Sequence, residues 1–439
     1  MTHRGSRVLH VGSLSRVEGE GALHLRMDDG RVTEARLQIY EPPRFFEAFL
    51  RGRGHTEPPD ITARVCGICP VAYQMSACAA VENACGIAVD GQLAELRRLL
   101  YCGEWIESQT LHIHLLHAPD FLGCASAIDL ARTHRAEIER GLRLKQTGNA
   151  LMEELGGRAI HPVNVRVGGF HRVPTRAELR PLHERLKRAM DDAWATVRWV
   201  SGFGFPDAHC DEDFLALAEP GRYAIAAGTP TVLPGNDGPQ RSFLVNDFTE
   251  HVIERQVPHS TALQSELDGR RHLTGSLARY AINHRLLSPL AHQAAAEARL
   301  DTVCRNPFRS IIVRAVEVVY AIDEAMRIID AYEPPPRPSV EVPPRAGTGH
   351  GATEAPRGLL YHRYTLDADG TVTDARLVPP TAQNQGAIEE HLRRVVQAAM
   401  DDCDPGTTEL TALCERAIRN HDPCISCSTH FLDLTVERA

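Results

Sequence analysis

Two Cys-x-x-Cys pairs lie near opposite ends of a 439-residue chain: Cys66 and Cys69 in Arg64-Val-Cys-Gly-Ile-Cys-Pro70, and Cys424 and Cys427 in Asp422-Pro-Cys-Ile-Ser-Cys-Ser-Thr-His430. Thiolates are soft and anionic, so four of them suit zinc, iron-sulfur or nickel sites and not calcium or magnesium. If they share one metal, the fold must bring both chain ends together. Without their flanks, the pairs leave structural zinc and a redox-active metal both open. The chain has twelve cysteines, but one this long does not need disulfide staples, and paired spacing fits ligation better. Cys78, Cys85, Cys102, Cys124, Cys210, Cys304, Cys403 and Cys414 read foremost as buried structural thiols. Cys78 and Cys85, seven apart, fall on one helix face.

The charge balance excludes one class of partner. With 57 acidic against 48 basic residues, a formal charge of -9, and no sustained basic tract, nucleic acid is not expected. No apolar run reaches membrane-spanning length and the start lacks a secretory signal, which predicts a cytoplasmic chain without direct membrane insertion.

Periodicity predicts a mainly α fold with small β segments: a helical bundle core in a single domain over 1–439. Alternation in 7–40 around Asp28-Asp-Gly30 predicts a hairpin or small sheet within an N-terminal segment, 7–60. Helices are expected over 72–88 and 93–117 (ended or kinked by Pro119), and helical segments with interruptions at unassigned positions over 177–200, 261–299, 311–331 and 387–400. They make a core over 61–333, with an irregular insertion near 202–238. Pro334 to Gly351 reads as irregular, Ala355-Pro-Arg-Gly358 as a turn, and 360–377 as strands. The C-terminal segment, 352–439, returns to the metal.

The flanks sharpen the reading. Arg-x-Cys-Gly-x-Cys and Asp-Pro-Cys-x-x-Cys-x-x-His, both intact, resemble the signatures of the large, catalytic subunit of nickel-iron hydrogenases. Arg16-Val-Glu-Gly19, Pro43-Arg-Phe-Phe-Glu-Ala-Phe-Leu-Arg-Gly-Arg53, Gly156-Gly-Arg-Ala-Ile-His-Pro162 and Pro380-Thr-Ala-Gln-Asn384 extend the resemblance over nearly the whole chain. Cys69-Pro-Val-Ala-Tyr-Gln-Met-Ser-Ala77 is similar to the cytoplasmic, nicotinamide-linked group, some members of which also reduce sulfur.

The resemblance implies reversible cleavage of hydrogen at a nickel-iron centre whose iron carries carbon monoxide and cyanide. Cys66, Cys69, Cys424 and Cys427 would hold it, Cys69 and Cys427 bridging the two metals. Cys424 would take the proton and Glu18 relay it; on spacing alone Glu18 is a solvated glutamate in a turn. Arg357 would hang over the open metal position, oriented by Asp120 and Asp422; each has a plainer reading, Arg357 as a salt-bridged arginine, the aspartates as turn residues. Glu47 and His430 would bind a second ion, magnesium or ferrous iron; otherwise they are a polar-face glutamate and a tail histidine. His161 reads as structural before proton relay.

Three features depart from the commoner pattern. Tyr73 stands where many relatives have histidine, and His421 replaces an aromatic residue before Asp-Pro-Cys. Residues 431–439 follow a histidine after which most relatives are cleaved, so the chain is either a precursor or a type that keeps its tail. No cysteine series for an electron wire and no Gly-x-Gly-x-x-Gly nucleotide motif is present. The implied partners are therefore an iron-sulfur small subunit, flavin- and NAD(P)-binding diaphorase subunits, and maturation proteins. The alternatives are a redox-silent relative of the quinone-site subunit of respiratory complex I, or a four-cysteine zinc protein.

Overall fold

The protein is described by a computed structural model covering residues 6–403 and 405–429. Its core is built from long helices, Pro70–Cys85, Gly91–Leu111, Arg135–Gly156, Arg176–Ser201 and Ser310–Asp330, joined by Pro380–Asp402 and Thr407–Arg419 from the C-terminal part. Small, mostly antiparallel sheets border them. Strands Arg7–Val11, Gly21–Asp28 and Arg31–Ile39 form the expected N-terminal sheet; Gly347–Ala355, Gly358–Leu366 and Val372–Val378 form another.

One helix-strand contact sets the frame of the site. Gly347, Gly349 and Gly351 recur with period two, so one strand face has no side chains. Ser76, Ala80 and Ala84 recur with period four and give the Pro70–Cys85 helix a low ridge to match. A Cβ at Gly349 would sit 2.0 Å from the Ala80 carbonyl oxygen, and one at Gly351 2.5 Å from that of Ser76. Farther along the same face, the hydroxyls of Ser76 and Thr353 hydrogen-bond at 2.7 Å. The helix starts immediately after Cys69 and the strand ends in the turn carrying Arg357, so this packing brings the first thiol pair and the arginine together.

Three sequence expectations are corrected. Residues 261–299 are not helical throughout: Leu263–Leu267 is a strand paired with Val252–Gln256, and Ser276–Asn283 and Pro289–Glu297 are separate short helices. Leu263-Gln-Ser-Glu-Leu267 buries alternate residues, a period-two signal hidden beside the helical pattern that follows. The long helix after Gly91 also does not run regularly to His117. It passes at His112 into a π-helical stretch ending at His117, and Pro119 opens a further short helix where no amide donor is required. The Pro380–Asp402 helix starts seven residues before the expected 387, with Pro380 at its first turn.

Gly351→Val should force helix and strand apart. Overpacking of this kind costs about 1–3 kcal/mol, so a lower melting temperature and a lower nickel content per chain are expected from calorimetry and elemental analysis; wild-type values for both would refute the close-packing account.

Candidate metal centre

Four sulfurs from the two ends of the chain meet in the interior. Cys66 Sγ lies 3.5 Å from Cys424 Sγ, Cys69 Sγ 3.5 Å from Cys427 Sγ, and Cys424 Sγ 2.7 Å from Cys427 Sγ. All four residues are buried, with their sulfurs within 4.8 Å of one another. Burial pushes the Cys424 and Cys427 thiols up, whereas hydrogen bonds from the other thiols, foremost Cys424, hold Cys66 down. One thiolate is thus stabilised by its protonated neighbours, and ionising the set requires a cation.

The chain holds these loops through named contacts. Arg44 donates to the carbonyls of Val65, at 2.8 Å, and Ser426, latching the residue before Cys66 to the one before Cys427. Thr381 Oγ1 accepts from the Cys424 amide at 2.9 Å. Glu104 accepts from the amides of Val71 and Ala72 and so caps the helix that follows Cys69. Tyr73 donates its hydroxyl to the Cys427 carbonyl at 3.3 Å.

Glu18 joins the cluster from the N-terminal segment. Its backbone carbonyl accepts from the Ile425 amide at 2.9 Å, and its Oε2 lies 3.0 Å from Cys424 Sγ and 3.1 Å from the Ser426 amide. Ser426 Oγ donates to the other oxygen. Gly19, with φ 86°, makes this approach possible, since a Cβ there would lie 2.9 Å from the Ser426 nitrogen.

Arg357 is buried in the turn between two strands, with Nε 3.2 Å from Asp422 Oδ1. None of its guanidinium nitrogens makes an aligned hydrogen bond among the described residues. Asp422, the Cys424 and Cys69 thiols and that of Cys66 face it and hold its charge. Arg279 fixes the turn: it donates to the carbonyls of Ala355 (2.7 Å) and Pro356 (2.8 Å) while pairing with Glu317 and Glu354, all fully buried. Nothing in the flanks of Arg279 marks it, because its partners are far away in sequence.

Asp120 does not join Asp422 at Arg357. Its carboxylate binds Arg16 Nη2 at 2.5 Å and Arg419 at 2.7 and 2.8 Å. Arg16 lies two residues before Glu18 and Arg419 ends the helix before Asp422, so Asp120 clamps together the segments that carry Glu18 and Cys424. A carboxylate with two arginines within reach is neutralised there. Asp422 adopts φ 48°, and its Oδ1 also lies 3.7 Å from His112 Nε2.

The remaining expected residues lie elsewhere. Glu47 is buried and accepts from the Leu377 amide at 2.8 Å; burial raises its pKa. Glu254, beside it and Arg376, is pushed by burial to about 7. His430 and residues 431–439 lie outside the described residues. His161 directs Nδ1 to the Ala63 carbonyl at 2.7 Å, three residues before Cys66. Cys78 is fully buried, its thiol pushed by burial to about 12; Cys85 is buried too. Of the other thiols, Cys403 is exposed and Cys124 half-buried, against expectation.

A family model described as nickel-dependent hydrogenase matches residues 44–154 and 280–430. The chain belongs to the nickel-dependent hydrogenases. It is 33% identical over 434 residues to sulfhydrogenase 1 subunit alpha of Pyrococcus furiosus, covering 97% of this chain and 98% of that one. Sulfhydrogenase 2 subunit alpha of the same organism is 31% identical over 433 residues, with 97% and 100% covered. A solved NAD+-reducing [NiFe]-hydrogenase in the H2-reduced state superposes with a TM-score of 0.88 at 28% identity, covering 97% and 99%. The hydrogenase thus has the large-subunit fold, a mixed one dominated by helices, and is the catalytic subunit that oxidises or produces hydrogen. The donor set fits a nickel-iron centre: four buried thiols close enough to share metals, beside an arginine whose nitrogens lack aligned partners.

Arg279→Met should leave Glu317 and Glu354 buried without their cation. Breaking such a pair costs about 3–5 kcal/mol; denaturant unfolding should show that loss, and an unchanged midpoint would contradict the assigned role of Arg279.

Proposed function

We propose that this hydrogenase subunit exchanges the electrons of hydrogen with NAD(P) through partner chains, and that Cys424, Glu18, Arg357 and Asp422 serve the reaction. The observation that carries the proposal is Cys424 Sγ facing Glu18 Oε2 at 3.0 Å inside the four-thiol cluster.

When bound, a nickel-iron centre supplies the site at which hydrogen is split heterolytically and its electrons are taken up. Cys66, Cys69, Cys424 and Cys427 would hold that centre through their thiolates, Cys69 and Cys427 serving both metals, and carbon monoxide and cyanide would be its further ligands. Cys424 Sγ accepts a proton and passes it to Glu18 Oε2 across their contact. Glu41, half-buried above Gly19 and with its pKa raised chiefly by burial, is the next carboxyl outward. Arg357, permanently charged and held by Asp422, keeps a positive field at the thiols. Asp120 acts through the clamp on Arg16 and Arg419. Glu47, with His430, is assigned to a magnesium or ferrous ion.

The relatives' names support the electron route. One is a solved NAD+-reducing hydrogenase and two are sulfhydrogenases. An iron-sulfur small subunit and flavin- and NAD(P)-binding diaphorase subunits supply what this sequence lacks, with maturation proteins for metal insertion. No helix among the described residues is long and apolar enough to cross a membrane, which accords with a cytoplasmic complex.

Infrared spectra of the native complex should carry carbon monoxide and cyanide bands; a protein containing zinc without those bands would end the proposal. Arg357→Lys should lower hydrogen turnover at least tenfold while retaining most nickel, and near-normal turnover would remove its role. Glu18→Gln should slow hydrogen-deuterium exchange more than it lowers nickel content; unchanged exchange would place the relay elsewhere.

A further inference from the structure

A second set of buried donors lies on the other side of the C-terminal segment. Cys210 sits in the loop before the Asp213–Ala218 strand, His391 in the Pro380–Asp402 helix, and His421 three residues before Cys424. One ring nitrogen is their meeting point: His391 Nδ1 is 2.9 Å from His421 Nε2 and 4.0 Å from Cys210 Sγ. The opposite nitrogen, Nε2, lies 2.9 Å from Glu212 Oε2. Glu212 is itself held by Arg394, 3.3 Å from its other oxygen. Donor atoms of Cys210, Glu212 and His391 lie within 4.8 Å of one another, and all three residues are buried.

We propose that Cys210, His391 and His421 form a second metal site for a borderline divalent transition ion, with Zn2+ as its natural occupant and Glu212 orienting His391. A carboxylate on the far nitrogen of a histidine takes the N–H and leaves the near nitrogen with its lone pair toward the ion. Here Glu212 does this for Nε2, so Nδ1 presents its lone pair on the side of Cys210 and, with no ion bound, accepts a hydrogen bond from His421 Nε2. With zinc bonds of about 2.3 Å to sulfur and about 2.0 Å to nitrogen, a tetrahedral S–N edge is roughly 3.5 Å and an N–N edge roughly 3.3 Å, so seating the ion closes the 4.0 Å Cys210–His391 separation and opens the 2.9 Å contact between the imidazoles. Soft thiolate plus imidazole excludes magnesium and calcium.

The surroundings fit loading from solvent. A cavity of about 290 Å³ lined by Asp207, His209, Asp211, His391 and Arg394, among others, reaches His391 from outside; Asp211 there offsets Arg394 at 3.0 Å, and Asp207 adds a negative charge at the entrance. Burial, then Glu212, raises the Cys210 thiol, and burial keeps the His421 imidazole neutral. On binding, the Cys210 S–H bond is replaced by an S–metal bond and its proton leaves to water, while the proton on His421 Nε2 is exchanged through water to that ring's Nδ1, so that both histidines bind through lone pairs. The loaded ion ties the segment carrying Asp422, Cys424 and Cys427 to the Pro380–Asp402 helix and to the loop at Cys210. Its role is to lock that segment, separately from the four-thiol centre.

Anaerobic Co2+ titration of native enzyme freed of zinc, with infrared bands used to confirm an intact nickel-iron centre, tests the site. Wild type should bind one Co2+ with a thiolate-to-cobalt charge-transfer band. Cys210→Ser should abolish the band, His391→Gln should weaken binding at least tenfold, and Glu212→Gln should weaken it by about tenfold. Replacement of the exposed Cys403 with Ser should leave the band intact. No band in wild type, or a band surviving Cys210→Ser, overturns the proposal. Should a variant misfold, X-ray absorption of Zn2+-loaded wild type decides: a mixed sulfur and nitrogen shell supports the site, and an oxygen-only shell refutes it.

Discussion

Four thiols buried together in the interior are the constraint to which the rest of the structure answers. Anionic sulfur loses its hydration there, so the set can be ionised only against a positive partner. Among the described residues the fixed charge facing the sulfurs is that of Arg357, offset by Asp422 at 3.2 Å. The remaining charge of the thiolates must be met by metal. This explains why the site is assembled from both chain ends, and why so many contacts fasten those ends to each other.

The fastenings act at different levels. Alternating glycines on the Gly347–Ala355 strand let the Pro70–Cys85 helix lie against it, which fixes Cys66 and Cys69 relative to Arg357. Arg44 bridges the two cysteine loops, Thr381 holds the Cys424 amide, and Asp120 joins Arg16 to Arg419. Arg279, Glu317 and Glu354 carry the turn of Arg357 on a buried ion network. Such a network adds little net stability over an apolar core, but losing one member is costly. Its benefit is a fixed guanidinium.

The thiol pairs stood out by their spacing, whereas Glu18, Arg357 and Asp422 were marked only through the family resemblance, their spacing alone reading as turn and salt-bridge residues; the structure places all of them around the four sulfurs. Long helices were legible from their period, although the π-helical stretch at His112 was not, since a register shift leaves composition unchanged. Asp120 was placed at the wrong arginine. Its neighbours in sequence give no sign that Arg16 and Arg419, 104 and 299 residues away, reach it first. Arg279 and Glu104 went unmarked for the same reason: each acts on backbone that is distant in sequence. His421 was noted as a departure, but its bond to His391 links positions 30 residues apart on separate elements. Spacing along the chain cannot show such a pair.

The central claim is that both cysteine pairs serve one nickel-bearing centre, and nickel X-ray absorption of the purified complex tests it most directly. The account predicts one nickel per chain in a sulfur-dominated shell with iron as a near neighbour, and loss of that nickel alike in Cys66→Ser and Cys424→Ser. Nickel retained after either replacement, or separate ions held by each pair, would contradict it.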